Sequence, residues 1–371
     1  MGSVSGFILR LLMILRRRGR IAGAAALAFG LIAAAWIGIA EVEAGRLQPA
    51  QPGEIAAREN LKQTVHEFYD RSDFAALERL AGDLRSSGAR TPSGVAKLSV
   101  YYAALHDIAA SIGPGDDKGW QRFSVKLAGW QGQFTDQPTA AIVQVIALKS
   151  YAWSLRPRLI VQEAATGGDA RFLAALNNAR SVLDANRAIA SADPQFYVLR
   201  AQLATALGEA PDQLMALTTE GRQKFPGYAA IDFSGLDYFA TGDGAKAPGT
   251  EEAARIEAYV RTASADVPDE DERYARLYWH AYQLVYGDDL FRRSRADWPR
   301  MRVGMSAIAA HFPDAWNLNQ FAYFACLAGD RDTTRRLLAE VSDPPPLQIW
   351  QSRAVLDGCR QWASLEPQTR R

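Results

Sequence analysis

The chain has 371 residues, 48% hydrophobic and 22% charged, an ordinary globular composition with ample material for a core. Its net charge of +1 hides an asymmetry: five arginines and no acid lie in the first 20 residues, and the rest carries 37 basic against 41 acidic residues. A mildly acidic body without a Lys/Arg block gives no electrostatic reason to expect nucleic acid as a partner.

Residues 1–20 read as a basic cytoplasmic N-terminus containing Arg10, Arg16, Arg17, Arg18 and Arg20. Ile21 to Ala40 are uncharged, and twenty residues at about 1.5 Å each span a hydrocarbon core of about 30 Å. With the arginines before this run and Glu41 and Glu43 after it, the positive-inside rule places a single transmembrane helix at 21–40 and the body outside a bacterial inner membrane, in the periplasm or beyond. A cleaved signal peptide, ending near Ala40 or Ala44 and leaving a soluble periplasmic body, is the rival. A third reading is a buried helix in a cytoplasmic protein. Ala26, Gly30, Ala34 and Gly38 form a small-residue stripe through which two such helices would pair weakly as a homodimer.

Residues 41–53 read as a linker, with two prolines and a glycine over 46–53, then 54–363 as one helical body and 364–371 as a tail. Asp73 caps a helix whose apolar face is Phe74, Leu77, Leu80 and Leu84. The next helix is expected over Thr91–Ile112, before the breaker at 113–119. Others follow near 117–133, 138–155, 169–190, 194–207, 211–224, 228–240 and 250–265, then 269–286, 297–311, 314–328, 331–341 and 347–363. No segment alternates with period two, so the body is expected to be all-α, a TPR-like stack of antiparallel helix pairs (an α-solenoid). In 313–344, Trp316, Tyr323, Ala339 and Pro344 fall on tetratricopeptide-repeat positions, although the Leu-Gly pair is absent and Asp332 replaces a small residue. Phe225-Pro226 and Phe312-Pro313 each end one helix and restart the chain.

The runs Asp297 to Arg302, His311 to Pro313, Trp316 to Ala322 and Phe324 to Asp330, with the closing Cys359 to Ala363, resemble a bacterial family of unknown function. The resemblance is specific over about 195–363 and looser over 70–190. It implies helix pairs of TPR-like type and an exported or membrane-anchored address, and it brings no activity.

The four histidines share no motif. His280, with Arg273, Arg276 and Gln283 on one polar helix face, is expected to face solvent, and so is His66. His106 borders an apolar stripe as a half-buried residue, and His311 suits the carbonyl end of a helix. No metal spacing, nucleophile elbow or phosphate loop occurs; Gly242 to Ala247 has the wrong spacing for a phosphate loop, and Asp269 to Glu272 read as helix-start acids. No catalytic residue, metal or cofactor is therefore expected. Cys326 and Cys359 would either pair in an oxidising compartment or lie apart as buried thiols. Trp316, Asn319 and Tyr323 are the candidate binding groove, with burial in the core as the competing reading.

The leading expectation is a non-enzymatic scaffold binding a protein or peptide. The alternative is a cell-wall or lipid-acting enzyme, or a small-ligand binder, with an aromatic-lined pocket and at least two convergent carboxylates or amides. A third reading is a structural envelope protein without a groove.

Overall fold

The structure is a computed structural model that describes residues 53–162, 168–241, 250–265, 267–341 and 344–365. The apolar run at 21–40, its small-residue stripe, the loop Gly242 to Ala247 and the end of the tail lie outside these residues. Among the described residues there is no strand, only an isolated bridge between Arg90 and Ala96, and no helix is long and apolar enough to cross a membrane.

The helices are α1 (Glu54–Asp70), α2 (Phe74–Ser87), α3 (Lys97–Ala110), α4 (Asp117–Gln133), α5 (Pro138–Gln162) and α6 (Gly168–Ala185). They continue as the short α7 (Arg187–Ala190), α8 (Pro194–Leu207), α9 (Pro211–Lys224), α10 (Ala230–Thr241), α11 (Thr250–Ser264) and α12 (Glu270–Ala281). After α12 come a π turn at Tyr282–Tyr286, the short α13 (Leu290–Arg293), α14 (Trp298–His311), α15 (Ala315–Leu327), α16 (Arg331–Glu340), α17 (Leu347–Trp350) and α18 (Arg353–Ser364). Local chemistry sets many of the ends. Asp73, Asp116, Asp193, Asp314, Asp330 and Ser352 accept first-turn amides as N-caps, and Gly88 and Gly208 close α2 and α8 in the left-handed conformation.

Three expected helices differ, and the one over 169–190 divides at Asn186 into α6 and α7. Residues 89–96 form a tight turn instead of the start of α3, because Pro92 and Gly94, at φ 89°, do not extend a helix. The segment 347–363 breaks into α17 and α18 at Gln351, which sits at φ 60°.

Alternate helices pack on one another, α1 on α3, α3 on α5, α5 on α8, α8 on α10 and α10 on α12, forming an inner row. The intervening α2, α4, α6, α9 and α11 pack on their chain neighbours. The N-terminal core gathers Val65, Leu77, Tyr101, Ile142 and Phe196, and the C-terminal core gathers Leu236, Ile256, Leu277, Met301 and Phe324. Gly304 allows the close approach of α14 to α12, since a Cβ there would overlap the Asp271 carbonyl. Cys326 on α15 and Cys359 on α18 form a disulfide with Cα atoms 6.0 Å apart. Closing a separation of 33 residues stabilises the fold by about 4 kcal/mol in the chain-entropy account.

The N-terminal helices are locked by one buried carboxylate. Asp193 accepts Arg85 Nε at 2.7 Å, Tyr102 OH at 2.7 Å and the Gln195 amide at 2.8 Å, while Arg85 also donates to Thr139 at 2.8 Å. Burial pushes the Asp193 carboxyl up, and the Arg85 charge opposes it. Because α2, α3, α5 and α8 meet here, Asp193→Ala should cost about 3–5 kcal/mol by leaving Arg85 desolvated and unpaired. Urea unfolding measures this, and a loss below about 1 kcal/mol would show that the network does not hold these helices together.

Candidate functional site

The first and last parts of the inner row are brought together by the turn at 89–96. Glu54, at the start of α1, binds Arg58 and accepts Thr91 Oγ1 at 2.9 Å and the Ser93 amide at 2.8 Å. The turn docks on the C-terminal half: Asn317 Nδ2 donates to Ser93 O at 3.2 Å, and Arg90 Nη2 donates to Gly227 O at 2.6 Å. Gly94 lies against Phe312, whose ring would stand 2.7 Å from an added Cβ, and Arg58 lies 5.8 Å over the Trp316 ring.

These contacts border a partly open cavity of about 470 Å³, within the usual range for small-molecule sites. Its apolar walls are Val95, Tyr228, Phe233, Leu277, Trp279 and Phe312. Glu272, Arg273, Arg276, Trp279 and His280 on α12, with Gln283 in the π turn that follows, keep helical spacing and line one side. The opposite face of α12, with Tyr274 and Tyr278, is core. The polar face expected to meet solvent therefore turns inward, because α1, α3 and the 89–96 turn lie across it.

The lining carboxylates are already engaged. Asp232, which is buried, accepts Arg222 Nε at 2.8 Å and has Arg273 Nη1 at 3.5 Å. Glu272 is buried and pairs with His311; Asp269 lies 3.7 Å from Arg273. Arg300 binds Glu270 at 2.5 Å and Asp271 at 2.8 Å, so these two act beyond the helix start. His280 holds Asp237 at 2.7 Å and stacks on Phe233 with ring centroids 4.5 Å apart.

The guanidiniums are not all engaged. Arg90 donates only to neutral carbonyls, Gly94 O at 2.9 Å and Gly227 O at 2.6 Å. Arg276 lies 5.8 Å over the Phe312 ring and has no hydrogen-bond or ion-pair partner among the described residues. Burial pushes the Arg276 guanidinium down, with Glu272 opposing and Arg90 adding to the effect; burial also pushes Arg90 down. Arg273 Nη1 is a further buried donor without a hydrogen bond. Five guanidiniums, of Arg58, Arg90, Arg222, Arg273 and Arg276, meet four carboxylates, of Glu54, Asp232, Asp269 and Glu272.

Further along the inner row, Lys149 of α5 donates to Gln202 of α8. Burial pushes its amine down to about 8, with Asp237 opposing. Among the described residues no group of three or more His, Cys, Asp or Glu side chains is placed to hold a metal ion.

The residues expected to form a groove separate. Asn319 is fully buried, donating to Ala315 O at 2.7 Å and accepting Trp350 Nε1 at 2.8 Å. Tyr323 is buried and bonds Asp288 at 2.6 Å, Tyr282 at 2.9 Å and Gln351 at 3.1 Å. Only Trp316 remains partly exposed, covered by Arg58. The three therefore form no common groove; the apolar surround of α15 draws the first two into the core. His66 reaches Ala104 O at 3.2 Å, and His106 is exposed. Arg58, Arg90 and Phe233 carried no motif in the sequence, since their roles depend on contacts between distant segments.

Neither the family models, the curated proteins nor the solved structures compared with this chain contain a match.

An unpaired, desolvated charge opposes folding. Arg276→Met should therefore keep the melting temperature or raise it by about 2 °C, measured by calorimetry. A fall beyond about 2 °C would show that Arg276 supports the fold. Lys149→Met gives a second check. The amine is held near 8 in the folded state against 10.5 ordinarily, so the unfolded chain keeps the proton more tightly and charging Lys149 penalises the fold at low pH. The variant should be more stable than wild type at pH 7, and the gain should shrink as pH rises from about 8 towards 10.5. A gain independent of pH would contradict the burial of the charge.

Proposed function

We propose that the chain is a non-enzymatic, membrane-anchored helical-repeat protein whose central cavity takes a small ligand. The cavity is the observation that carries this reading: about 470 Å³, walled by aromatic side chains and bordered by contacts between residues near 93 and near 317. Its aromatic walls and convergent polar groups fit the small-ligand alternative better than an extended peptide groove. The scaffold reading loses the surface it relied on, since Asn319 and Tyr323 are buried. An enzyme would need an acid, base or nucleophile free to act, whereas the lining carboxylates Asp232 and Glu272 are held by arginine or histidine.

Two finer features belong to the same proposal. The inner row of alternating helices supports a TPR-like stack of helix pairs, here curled until its ends touch. The twenty uncharged residues at 21–40 support a single-pass anchor with the body on the outer side of a bacterial inner membrane, while a cleaved signal peptide would leave the same body soluble there. The resemblance to an exported TPR-like family agrees with both.

Full-length protein purified in detergent, then denatured and extracted, should release a small molecule in near-equal amount to protein, identified by mass spectrometry. Ala230→Trp, which fills the cavity wall, should release none while keeping its helical circular dichroism; Ser99→Phe is a second blocking variant. Wild-type protein that releases nothing, or blocked variants that release the same compound, would overturn the proposal.

A further inference from the structure

We propose that the cavity ligand is a small organic monoanion, its charged head seated between Arg276 and Arg90 and its apolar body against Phe233, Trp279 and Phe312. This rests on the cavity reading above and names the class of molecule that the cavity takes.

The argument is one of charge bookkeeping at close range. Arg276 and Arg90 face the same space and repel one another, and neither is hydrogen-bonded to a carboxylate. The nearby carboxylates are paired with other groups, Asp232 with Arg222 and Arg273, Asp269 with Arg273 and Glu272 with His311. Two like charges kept beside an apolar wall, with Glu272 and Asp269 attracting them from a distance but bonded to neither, are costly for the free protein. An anion between them removes that cost, and a guanidinium offers a planar fork that matches a carboxylate. Among the lining side chains Arg58, Arg90, Arg273 and Arg276 face Asp232, Asp269 and Glu272, an excess of one positive charge with His280 and His311 counted as neutral, which one negative charge balances. Phe312, with its ring centroid 5.8 Å from the Arg276 guanidinium carbon, gives that cation an aromatic contact that uses none of its hydrogen-bond donors. Phe233 and Trp279, with ring centroids 6.3 Å apart, offer edges and faces for an aryl or short alkyl body.

The test compares 3-phenylpropanoate with its neutral isostere 3-phenylpropanamide, titrated calorimetrically into the full-length protein in detergent, with Ala230→Trp as the reference for micelle partitioning. The carboxylate should bind at least about tenfold more tightly than the amide. Arg276→Gln should lose about tenfold for the carboxylate and leave the amide unchanged, while Arg276→Lys retains part of the carboxylate affinity. The melting temperature of each variant identifies any that fails to fold. Equal binding of acid and amide, unchanged in Arg276→Gln, would overturn the anion seat and leave the cavity reading standing. Binding of neither by wild type would also overturn the seat, and the released-compound measurement then judges the cavity separately.

Discussion

The turn at 89–96 is the constraint on which the site depends. It is eight residues long, yet it holds the start of α1 through Glu54, the turn before α10 through Arg90 and Gly227, and the α14–α15 junction through Ser93, Gly94, Phe312 and Asn317. Without it, the inner faces of α1, α3, α10 and α12 would line an open curve exposed to water. With it, they surround a space in which charges are partly desolvated and each arginine counts for more. The close fit at Gly94 makes the point sterically, because any side chain there would displace Phe312 from the cavity wall.

Elsewhere the molecule treats buried charge conservatively. Asp193 has two side-chain donors and a backbone amide, Asp232 has two arginines, and Glu78 accepts the Trp130 indole at 2.7 Å. Each lies where several helices meet, so each ion pair or hydrogen bond fixes helix position as well as satisfying a polar group. Against that pattern Arg276 stands out as a cation given burial and an aromatic neighbour but no bonded carboxylate among the described residues. The contrast within one fold is what gives the unpaired group its meaning.

The helices were legible in the chain because their determinants are local. Asp73 caps the helix that its position before an apolar face implies, and the structure adds Asp116 and Asp330 as caps and Pro194 and Pro211 in first turns, all of them local signals. The same locality explains the misreadings. Thr91 to Ala96 carry helix-compatible residues around Pro92 and Gly94, and their conformation answers to partners as distant as Asn317. Arg273, Arg276 and His280 have the spacing of an ordinary polar face, and nothing within α12 says that other helices will cover it. Asn319 is a groove candidate because inner-helix Asn and aromatic side chains grip peptides in TPR-like stacks; the competing core reading holds, since here it satisfies the indole of Trp350.

The contact between Ser93 and Asn317 also bears on how the body melts. In an open row of helices, each unit touches only its neighbours, so the terminal units fray first and the middle outlasts them. Here the first helix is tied to the fifteenth, and the last is held to the fifteenth by the Cys326–Cys359 bond. The first helix and its turn cannot peel away without breaking contacts at the α14–α15 junction, and the last helix stays tethered to that junction. A chain built from local pieces thereby acquires the cooperativity of a loop, in which loosening anywhere is felt on both sides of the seam.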